Sequence, residues 1–297
     1  MIGIIRAYAD YLLYPNIGLS RLVHPVLYYV WFTLVGALIA SRANPPPVAL
    51  ITVVFAIMAT ALCVYSFNDI KDMEIDKDHP RKSQRPLTSG KVTVKEVLSL
   101  SLVSGFIGLS LALLNNVTTF ILSAVYIVLG IAYSQQPIRL KERFILKEAT
   151  TANGLFLAIL IGGSAVGTIT LPVIVAGTIT WFYLFAFFPL FVDAEDVEVD
   201  RIHGYKTLAM VLEQRTMVEI AIGIVIAVMS LISLAYAQFG FNVICPIVVS
   251  TTCLLFLRYL FPLLTSQNNE RMLQAKKFYR LLAITMQASF ILGSIVF

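Results

Sequence analysis

Charged residues are scarce in this chain of 297 residues: only 13% are Asp, Glu, Lys or Arg, whereas 58% are hydrophobic. In soluble domains about a quarter of the residues are charged, so this composition excludes a soluble domain. It indicates an integral membrane protein with a single domain, residues 1–297. Cysteine is also scarce. Cys63, Cys245 and Cys253 form no CxxC pair and lie in apolar runs, which argues against cysteine metal sites or disulfides and favours small buried side chains.

The N-terminus lacks the charged region, the clear apolar region and the small-residue cleavage site of a signal peptide. Residues 2–14 are compatible instead with an amphipathic helix at the membrane surface. The net charge is +5, but the cations are spread over the loops between apolar segments. This distribution indicates membrane orientation and no nucleic-acid partner.

Long apolar runs make up most of the chain. A helix of about 20 apolar residues crosses the hydrocarbon core of a bilayer, and the sequence contains nine runs of this kind. They lie near residues 18–40, 47–69, 93–114, 117–135, 147–166, 171–192, 216–238, 242–264 and 277–297. We therefore predict an all-α, multi-pass transmembrane bundle of nine helices.

The loops between these runs alternate in charge. Cations are concentrated after spans two, four and six and before span nine, whereas the opposite loops hold only Arg42. The positive-inside rule then places the cationic loops and the N-terminus in the cytoplasm and the C-terminus outside.

An acidic pattern occurs twice in the chain, after span two and after span six. With an offset of 124 residues, five of eleven positions are identical. The identical pairs are Asp69 and Asp193, Asp72 and Asp196, Glu74 and Glu198, Asp76 and Asp200, and His79 and His203. This repeat predicts two parallel half-repeats, roughly residues 18–135 and 147–264, followed by a last helix at 277–297.

Helical spacing predicts that the aspartates of each copy share one face, because residues i, i+3 and i+7 lie together. Glu74 and Glu198 fall on another face. The copies are either solvated helix ends or a metal site. Acids at a helix C-terminus oppose the helix dipole and repel one another, and a bound cation relieves both penalties. A set of ligands in which every donor atom is oxygen favours Mg²⁺.

Mg²⁺ in proteins commonly bridges one or two carboxylates to substrate phosphates. Two acidic clusters that face one cavity could hold a diphosphate from both sides, and the neighbouring cations could bind its remaining oxygens. The apolar bundle could enclose a hydrocarbon tail. Together these features predict a site for a prenyl diphosphate.

The same stretches resemble the motifs of the UbiA superfamily of intramembrane prenyltransferases. NDIKDMEID at residues 68–76 matches the first motif, NDxxDxxxD, and RPLTSG at 85–90 matches its continuation. YSQQPIRLK at 133–141 is similar to the family's YSxxPxRLK stretch, and DAEDVEVDRIHGYKTL at 193–208 resembles its second motif. The resemblance extends from about residue 19 to the C-terminus.

The resemblance implies a bundle of nine transmembrane helices with two Mg²⁺ ions. It implies that one ion is held by Asn68, Asp69, Asp72 and Asp76, and the other by Asp193, Asp196 and Asp200. Asp72 and Asp196 are central to the two sets and are expected to be catalytic. The diphosphate would be bound by Lys82, Arg85, Arg139, Lys141, Arg201 and Lys206.

The implied reaction is ionisation of the prenyl diphosphate to an allylic cation, which an acceptor captures. Mg²⁺ and the cationic side chains would stabilise the leaving diphosphate, and Tyr133 would face the reacting carbon as a third catalytic residue. The second motif is closest to the branch that prenylates geranylgeranylglyceryl phosphate, chlorophyll precursors and homogentisate. A glycerol-phosphate lipid is the first expectation for the acceptor.

Three alternatives remain at this stage. The acceptor could be an aromatic compound or quinone precursor, or the same scaffold could cyclise a terpene. A transporter of divalent cations would also use acids within a membrane protein, but it would need them along the middle of the spans.

Several other polar and aromatic residues have two interpretations each. His79 and His203 either belong to the site or cap a turn, and Arg258 either reaches the membrane surface or faces the cavity. Asn153 either lines the cavity or bonds a neighbouring helix. The aromatic run at 181–188 is more typical of packing than of cation stabilisation.

Overall fold

The computed structural model describes residues 9, 11–13, 24–191, 197–202, 204–265 and 269–295. Within these ranges the chain forms nine long helices and no β-strand, which confirms the predicted all-α bundle. The long helices are α1 His24–Ala40, α2 Pro47–Asp76, α3 Val94–Asn115, α4 Val117–Ser134, α5 Leu146–Ala165, α6 Leu171–Phe191, α7 Gln214–Ala235, α8 Ile244–Leu260 and α9 Asn269–Ser294. Two short helices, Val197–Ile202 and Leu208–Val211, lie between α6 and α7. The division into half-repeats stays a prediction.

Two helix ends differ from the predicted spans. α2 continues past residue 69 to Asp76, and α9 begins at Asn269 rather than near residue 277. Hydropathy detects only the part of a helix that lies in hydrocarbon, whereas the backbone hydrogen bonds of these two helices continue into their polar ends. The extension of α2 carries the first acidic motif.

Six of the long helices are long and apolar enough to cross a membrane, namely α2, α3, α4, α6, α7 and α8 with the turn that follows it. α1 is a shorter apolar helix. The outer face of α3 is strongly apolar, since Leu102, Phe106 and Leu114 are 66%, 75% and 76% exposed. These features are those of an integral membrane protein.

Helix α5 lies in the centre of the bundle, against α1, α4 and α6. It is not one of the six helices that are long and apolar enough to cross a membrane, and most of its residues are buried. A helix that is covered by other helices can carry small and polar residues, because protein and not lipid surrounds it. The composition of α5 therefore reflects its central position.

Helices α1 and α5 cross with their backbones in contact. A Cβ atom placed on Gly162 would lie 1.9 Å from the carbonyl oxygen of Thr33, and one on Gly36 would lie 1.9 Å from that of Ile159. Only glycine allows so close an approach, as is common where membrane helices pack.

An aromatic core joins α6, α8 and α9. The rings of Tyr183, Phe187 and Phe191 pack with Phe256 and Tyr279, with neighbouring centroids 4.5–6.4 Å apart. The Tyr183 hydroxyl donates a hydrogen bond to the carbonyl oxygen of Tyr279 at 2.6 Å. This arrangement confirms that these aromatic side chains serve packing.

Candidate active site

The last turns of α2 direct one row of polar side chains into a cavity. Asn68, Asp72 and Asp76 line it together, as the spacing i, i+4 and i+8 requires of one helical face. Asp69 lies beside this row and is only 3% exposed. Glu74 is exposed and forms an ion pair with Lys77 at 2.6 Å. The prediction that Glu74 lies outside the inward face is confirmed.

Arg85 connects two of these carboxylates from the loop that follows α2. Its Nη1 atom lies 2.5 Å from Oδ2 of Asp76 and 3.2 Å from Oδ1 of Asp69. The Arg85 side chain is 13% exposed. Buried charges of this kind are tolerated only when they are paired and hydrogen-bonded, so the arginine and the two aspartates depend on one another.

The loop after α4 supplies two more cations. Lys141 Nζ contacts Oδ1 of Asp72 and lies 3.3 Å from Oδ1 of Asn68. Arg139 Nη2 lies 3.5 Å from Oδ1 of Asp72. The pKa of Lys141 is lowered because burial disfavours its charged form, and the nearby carboxylate of Asp72 opposes that shift. The loops after spans two and four thus meet at one end of the bundle.

The backbone of this second loop is held in an unusual shape. Arg139 has a φ of 33°, in the left-handed region, and a turn of 3₁₀ helix at Leu140–Glu142 follows it. The Arg139 guanidinium also pairs with Glu142 at 2.6 Å. Left-handed backbone is costly for a residue other than glycine, and here it accompanies the entry of Lys141 into the cavity.

Two adjoining cavities form the site. The outer cavity, about 170 Å³, is lined mainly by polar and charged side chains. Its lining includes Asn68, Asp72, Asp76, His79, Lys82, Arg85, Tyr133, Lys141, Lys147 and Tyr205. The inner cavity, about 230 Å³, shares Asn68, Arg85 and Tyr133 with it and is more apolar. Tyr29, Tyr65, Tyr126, Leu129 and Gly130 are among its other lining residues. A charged mouth therefore leads to an aromatic interior, with Tyr133 at the junction.

The second acidic motif lies largely beyond the described residues. Asp193, Asp196 and His203 fall outside them, and of Asp200 only the backbone, in the helix Val197–Ile202, is described. Arg201 and Lys206 are exposed and line neither of the two cavities formed by the described residues. Their predicted role in binding diphosphate stays a prediction, as does the second metal site.

The segment after the second motif is anchored to the first half of the site. Oε1 of Glu148, a buried residue, accepts a hydrogen bond from the backbone N–H of Leu208 at 2.9 Å. The backbone N–H of Lys206 donates to the carbonyl oxygen of Glu142 at 3.2 Å. The loop after span six therefore reaches the same end of the bundle as the other two cationic loops.

The sequence analysis did not identify several residues of the site, among them Tyr205, Ser134 and Tyr11. Tyr205 lines the outer cavity, and its hydroxyl accepts a hydrogen bond from Arg139 Nη2 at 3.1 Å. Burial raises the pKa of Tyr205. Ser134 donates to Oδ1 of Asn68 at 2.7 Å, and Tyr11 donates to Oδ2 of Asp69 at 2.7 Å. Tyr205 and Ser134 lie within quoted motifs, whereas no pattern marks Tyr11.

The residues with two interpretations are now placed. Nδ1 of His79 accepts hydrogen bonds from the backbone N–H groups of Arg81 and Lys82 at 3.1 and 3.2 Å. These bonds support the interpretation that His79 caps a turn, here at the edge of the outer cavity. Asn153 accepts a hydrogen bond from Trp181 Nε1 at 2.9 Å and so bonds a neighbouring helix. Arg258 is exposed, as expected of a side chain that reaches the membrane surface.

The donor atoms suit a hard divalent cation. One amide side chain, Asn68, and two carboxylate side chains, Asp72 and Asp76, line the outer cavity, and oxygen ligands are those that Mg²⁺ prefers. Within the described ranges no three His, Cys, Asp or Glu side chains lie close enough together to hold an ion. The described carboxylates are instead paired with Arg85, Arg139 and Lys141. The metal site at the first motif therefore stays a prediction.

Comparisons with known proteins identify the family of this chain. The UbiA prenyltransferase family matches residues 29–283. A digeranylgeranylglyceryl phosphate synthase of Sulfurisphaera tokodaii is 31% identical over 228 residues, which cover 75% of this chain and 78% of that protein. A 4-hydroxybenzoate octaprenyltransferase of Shewanella amazonensis is 36% identical over 117 residues, 39% of this chain and 40% of that protein.

Solved structures share the fold. A structure described as digeranylgeranylglyceryl phosphate synthase superposes with a TM-score of 0.78 at 22% identity, over 98% of this chain and 99% of its own. A UbiA homolog from Archaeoglobus fulgidus, bound to DMAPP and Mg²⁺, superposes with a TM-score of 0.68 at 16% identity. The match covers 91% of this chain and 98% of the homolog.

Proposed function

Because this chain belongs to the UbiA prenyltransferase family, we propose that it transfers a prenyl group from a prenyl diphosphate to a glycerol-phosphate lipid within the membrane. The chain is a membrane prenyltransferase, and the acceptor is the part that we propose. The site geometry carries the proposal: carboxylates and cations converge at the mouth of an aromatic cavity. The relative that matches the larger share of both chains favours the glycerol-phosphate acceptor over an aromatic one.

Asn68, Asp72 and Asp76 would hold one divalent ion, since these three oxygen-bearing side chains line the outer cavity. We propose a second ion at Asp193, Asp196 and Asp200. When bound, Mg²⁺ supplies positive charge that neutralises the diphosphate and makes it a better leaving group. The central positions of Asp72 and Asp196 make these two aspartates the main expected ligands.

The cations of the outer cavity bind the phosphate oxygens. Arg85, Lys141 and Lys82 line that cavity, and Arg139 lies beside it through its contact with Asp72. Their charge stabilises the diphosphate as the bond between C1 and oxygen breaks and its electrons move to the leaving group. The aspartates now paired with these cations would then be available as ligands.

The inner cavity suits the hydrocarbon tail and the reacting carbon. Tyr133 lines both cavities, which supports a position of its ring beside C1 of the bound prenyl diphosphate. An aromatic face stabilises a nearby cation, and the buried tyrosines around it keep water from the allylic cation. The acceptor hydroxyl forms the new bond to C1 and releases its proton, which completes the transfer.

Purified protein incubated with geranyl, farnesyl or geranylgeranyl diphosphate and different acceptors tests the proposal. We expect a prenyl ether with a glycerol-phosphate lipid, detected by mass spectrometry, and no product without Mg²⁺. A prenylated 4-hydroxybenzoate instead would assign the aromatic acceptor. A cyclic hydrocarbon formed without acceptor would assign a cyclase. Divalent-ion uptake by vesicles without any prenyl product would support transport.

The proposed orientation places the cavity, the three cationic loops and the N-terminus in the cytoplasm, and the C-terminus outside. The distribution of Lys and Arg supports it. Cysteine labelling of intact cells, with single cysteines at Lys91 and Phe297, would show label at the second position alone if this orientation is correct.

A further inference from the structure

Tyr11 is buried against the first motif although it lies far from it in sequence. Its side chain is 1% exposed and belongs to a small cluster with Leu87, Val92 and Val97, separate from the main core. Its hydroxyl donates a hydrogen bond of 2.7 Å to Oδ2 of Asp69. The ring therefore packs on the loop that carries Arg85, and the hydroxyl reaches an aspartate of α2.

Asp69 differs from its neighbours in the motif. It lines neither of the two cavities described above, whereas Asn68, Asp72 and Asp76 line the outer one. Its Oδ2 accepts from Tyr11, and its Oδ1 accepts from Arg85 Nη1 at 3.2 Å. Both oxygens thus face protein donors.

Arg85 completes the chain of contacts. The nitrogen that contacts Asp69 also lies 2.5 Å from Oδ2 of Asp76, and the side chain lines both cavities. The series Tyr11, Asp69 and Arg85 leads from a buried apolar cluster to the cavity. A hydrogen bond to a carboxylate is stronger than a neutral one, and it fixes the plane of the carboxylate that holds the guanidinium.

We infer that Tyr11 and Asp69 are positioning residues that orient Arg85 toward the diphosphate, and that Asp69 is not a ligand of the metal ion. This inference rests on the proposed function in one respect, namely that the outer cavity binds a diphosphate. It separates the acids of the first motif into two roles. Asp72 and Asp76 line the outer cavity, whereas Asp69 lines neither cavity and holds Arg85 together with Asp76.

Tyr11→Phe tests the inference because it keeps the ring and removes the hydroxyl. The matched control is Tyr183→Phe, which removes another buried hydroxyl that donates at 2.6 Å, in the aromatic core of α6. Inorganic pyrophosphate is the probe, and its dissociation constant is measured by calorimetry both with Mg²⁺ and with EDTA. We expect Tyr11→Phe to weaken binding about tenfold in both conditions, as for loss of a hydrogen bond to a charged group. Tyr183→Phe should leave both constants unchanged.

A double-mutant cycle with Arg85→Gln supplies the second readout. If Tyr11 acts through Arg85, Tyr11→Phe weakens binding no further in the Arg85→Gln protein. Additive effects would overturn the inference. So would weakening seen only with Mg²⁺, because Asp69 would then serve the metal. Equal binding by Tyr11→Phe and wild type would reduce Tyr11 to a packing residue and likewise overturn it.

The same experiment separates this inference from the proposed function. Wild-type protein that binds pyrophosphate but transfers no prenyl group to any acceptor would contradict the function and leave the positioning role standing. Wild-type protein that binds no pyrophosphate in either condition would overturn the positioning role, because Arg85 would then be oriented toward no diphosphate.

Discussion

The crossing of α1 and α5 and the cavity at the end of α2 are both buried, but different forces hold them. At the crossing, two glycines let backbones touch, and a Cβ atom on Gly162 would lie 1.9 Å from a carbonyl oxygen. At the cavity, aspartates and cations form ion pairs within a partly enclosed space. The packing at the crossing depends on the small size of glycine, and the arrangement of the cavity depends on ion pairs.

The difference separates stability from activity. Backbone contacts of the crossing tolerate no added atom, but they carry no chemistry. Buried ion pairs contribute little net stability, because desolvation offsets their attraction. They supply charges that a diphosphate and a metal ion can use. Substitutions in the two regions should therefore affect different measurements.

Gly162→Ala is expected to have the largest effect, because its methyl group would force α1 and α5 apart. We expect a loss of stability on the order of 4 kcal/mol, at the upper end of single-substitution effects. Thermal unfolding in detergent measures it. The control is Gly223→Ala on α7, where an added Cβ meets no atom within 4 Å; it should be neutral or slightly stabilising. Similar losses in the two variants would contradict the backbone contact.

Asp72→Asn should reduce activity by about 10³-fold, comparable to the loss of a main electrostatic group in other active sites. The shape is kept, but Lys141 and Arg139 lose a carboxylate partner, so we expect a moderate loss of thermal stability beside the loss of turnover. The rate of prenyl transfer at saturating Mg²⁺ and donor is the measurement. A variant with normal turnover and normal Mg²⁺ dependence would remove Asp72 from the site.

Phe187→Ala should mainly reduce stability and leave donor binding unchanged, in contrast to Asp72→Asn. The ring is fully buried between α6, α8 and α9, and its removal should cost about 3 kcal/mol of stability. The KM for donor should stay unchanged in the folded fraction, because Phe187 lines neither described cavity. Phe106→Ala is the control, since that ring is 75% exposed on α3. Equal destabilisation by both variants would contradict the assigned packing role.

Glu74→Gln is expected to have the smallest effect. It makes the same change from acid to amide as Asp72→Asn, two residues away, but Glu74 is exposed and pairs only at the surface with Lys77. Surface ion pairs contribute between about 0 and 1 kcal/mol. Turnover and Mg²⁺ dependence should match wild type, and a loss like that of Asp72→Asn would reject the helical-face assignment.

Much of the site was predictable from local patterns. Spacing along α2 predicted that Asp72 and Asp76 share a face and that Glu74 does not, because helical geometry is the same wherever a helix forms. The family resemblance of the YSQQPIRLK stretch implied that Tyr133, Arg139 and Lys141 belong to the site. Tyr133 and Lys141 line the outer cavity, and Arg139 contacts Asp72. The second motif stays a prediction, since Asp193 and Asp196 lie outside the described residues.

Other features could not be found in this way. Tyr11 reaches Asp69 across 58 positions of sequence, and no period connects a lone tyrosine with a distant aspartate. Asp69 has the same helical spacing as the expected ligand residues Asp72 and Asp76. Only its contacts in the folded protein distinguish it from Asp72. The central position of α5 was also hidden, since its polar residues resemble those of a weak span until the helices around it are known.

The sequence by itself determined the nine long helices of the described residues, the alternating charge of the loops and the acidic face of α2. These follow from hydrophobicity and helical period, which act over a few turns of chain. The tertiary structure alone decided which cation meets which carboxylate, which glycines touch a neighbouring backbone and which tyrosines enter the site. Those contacts join residues far apart in the chain, and they depend on how whole helices pack, which no local pattern encodes.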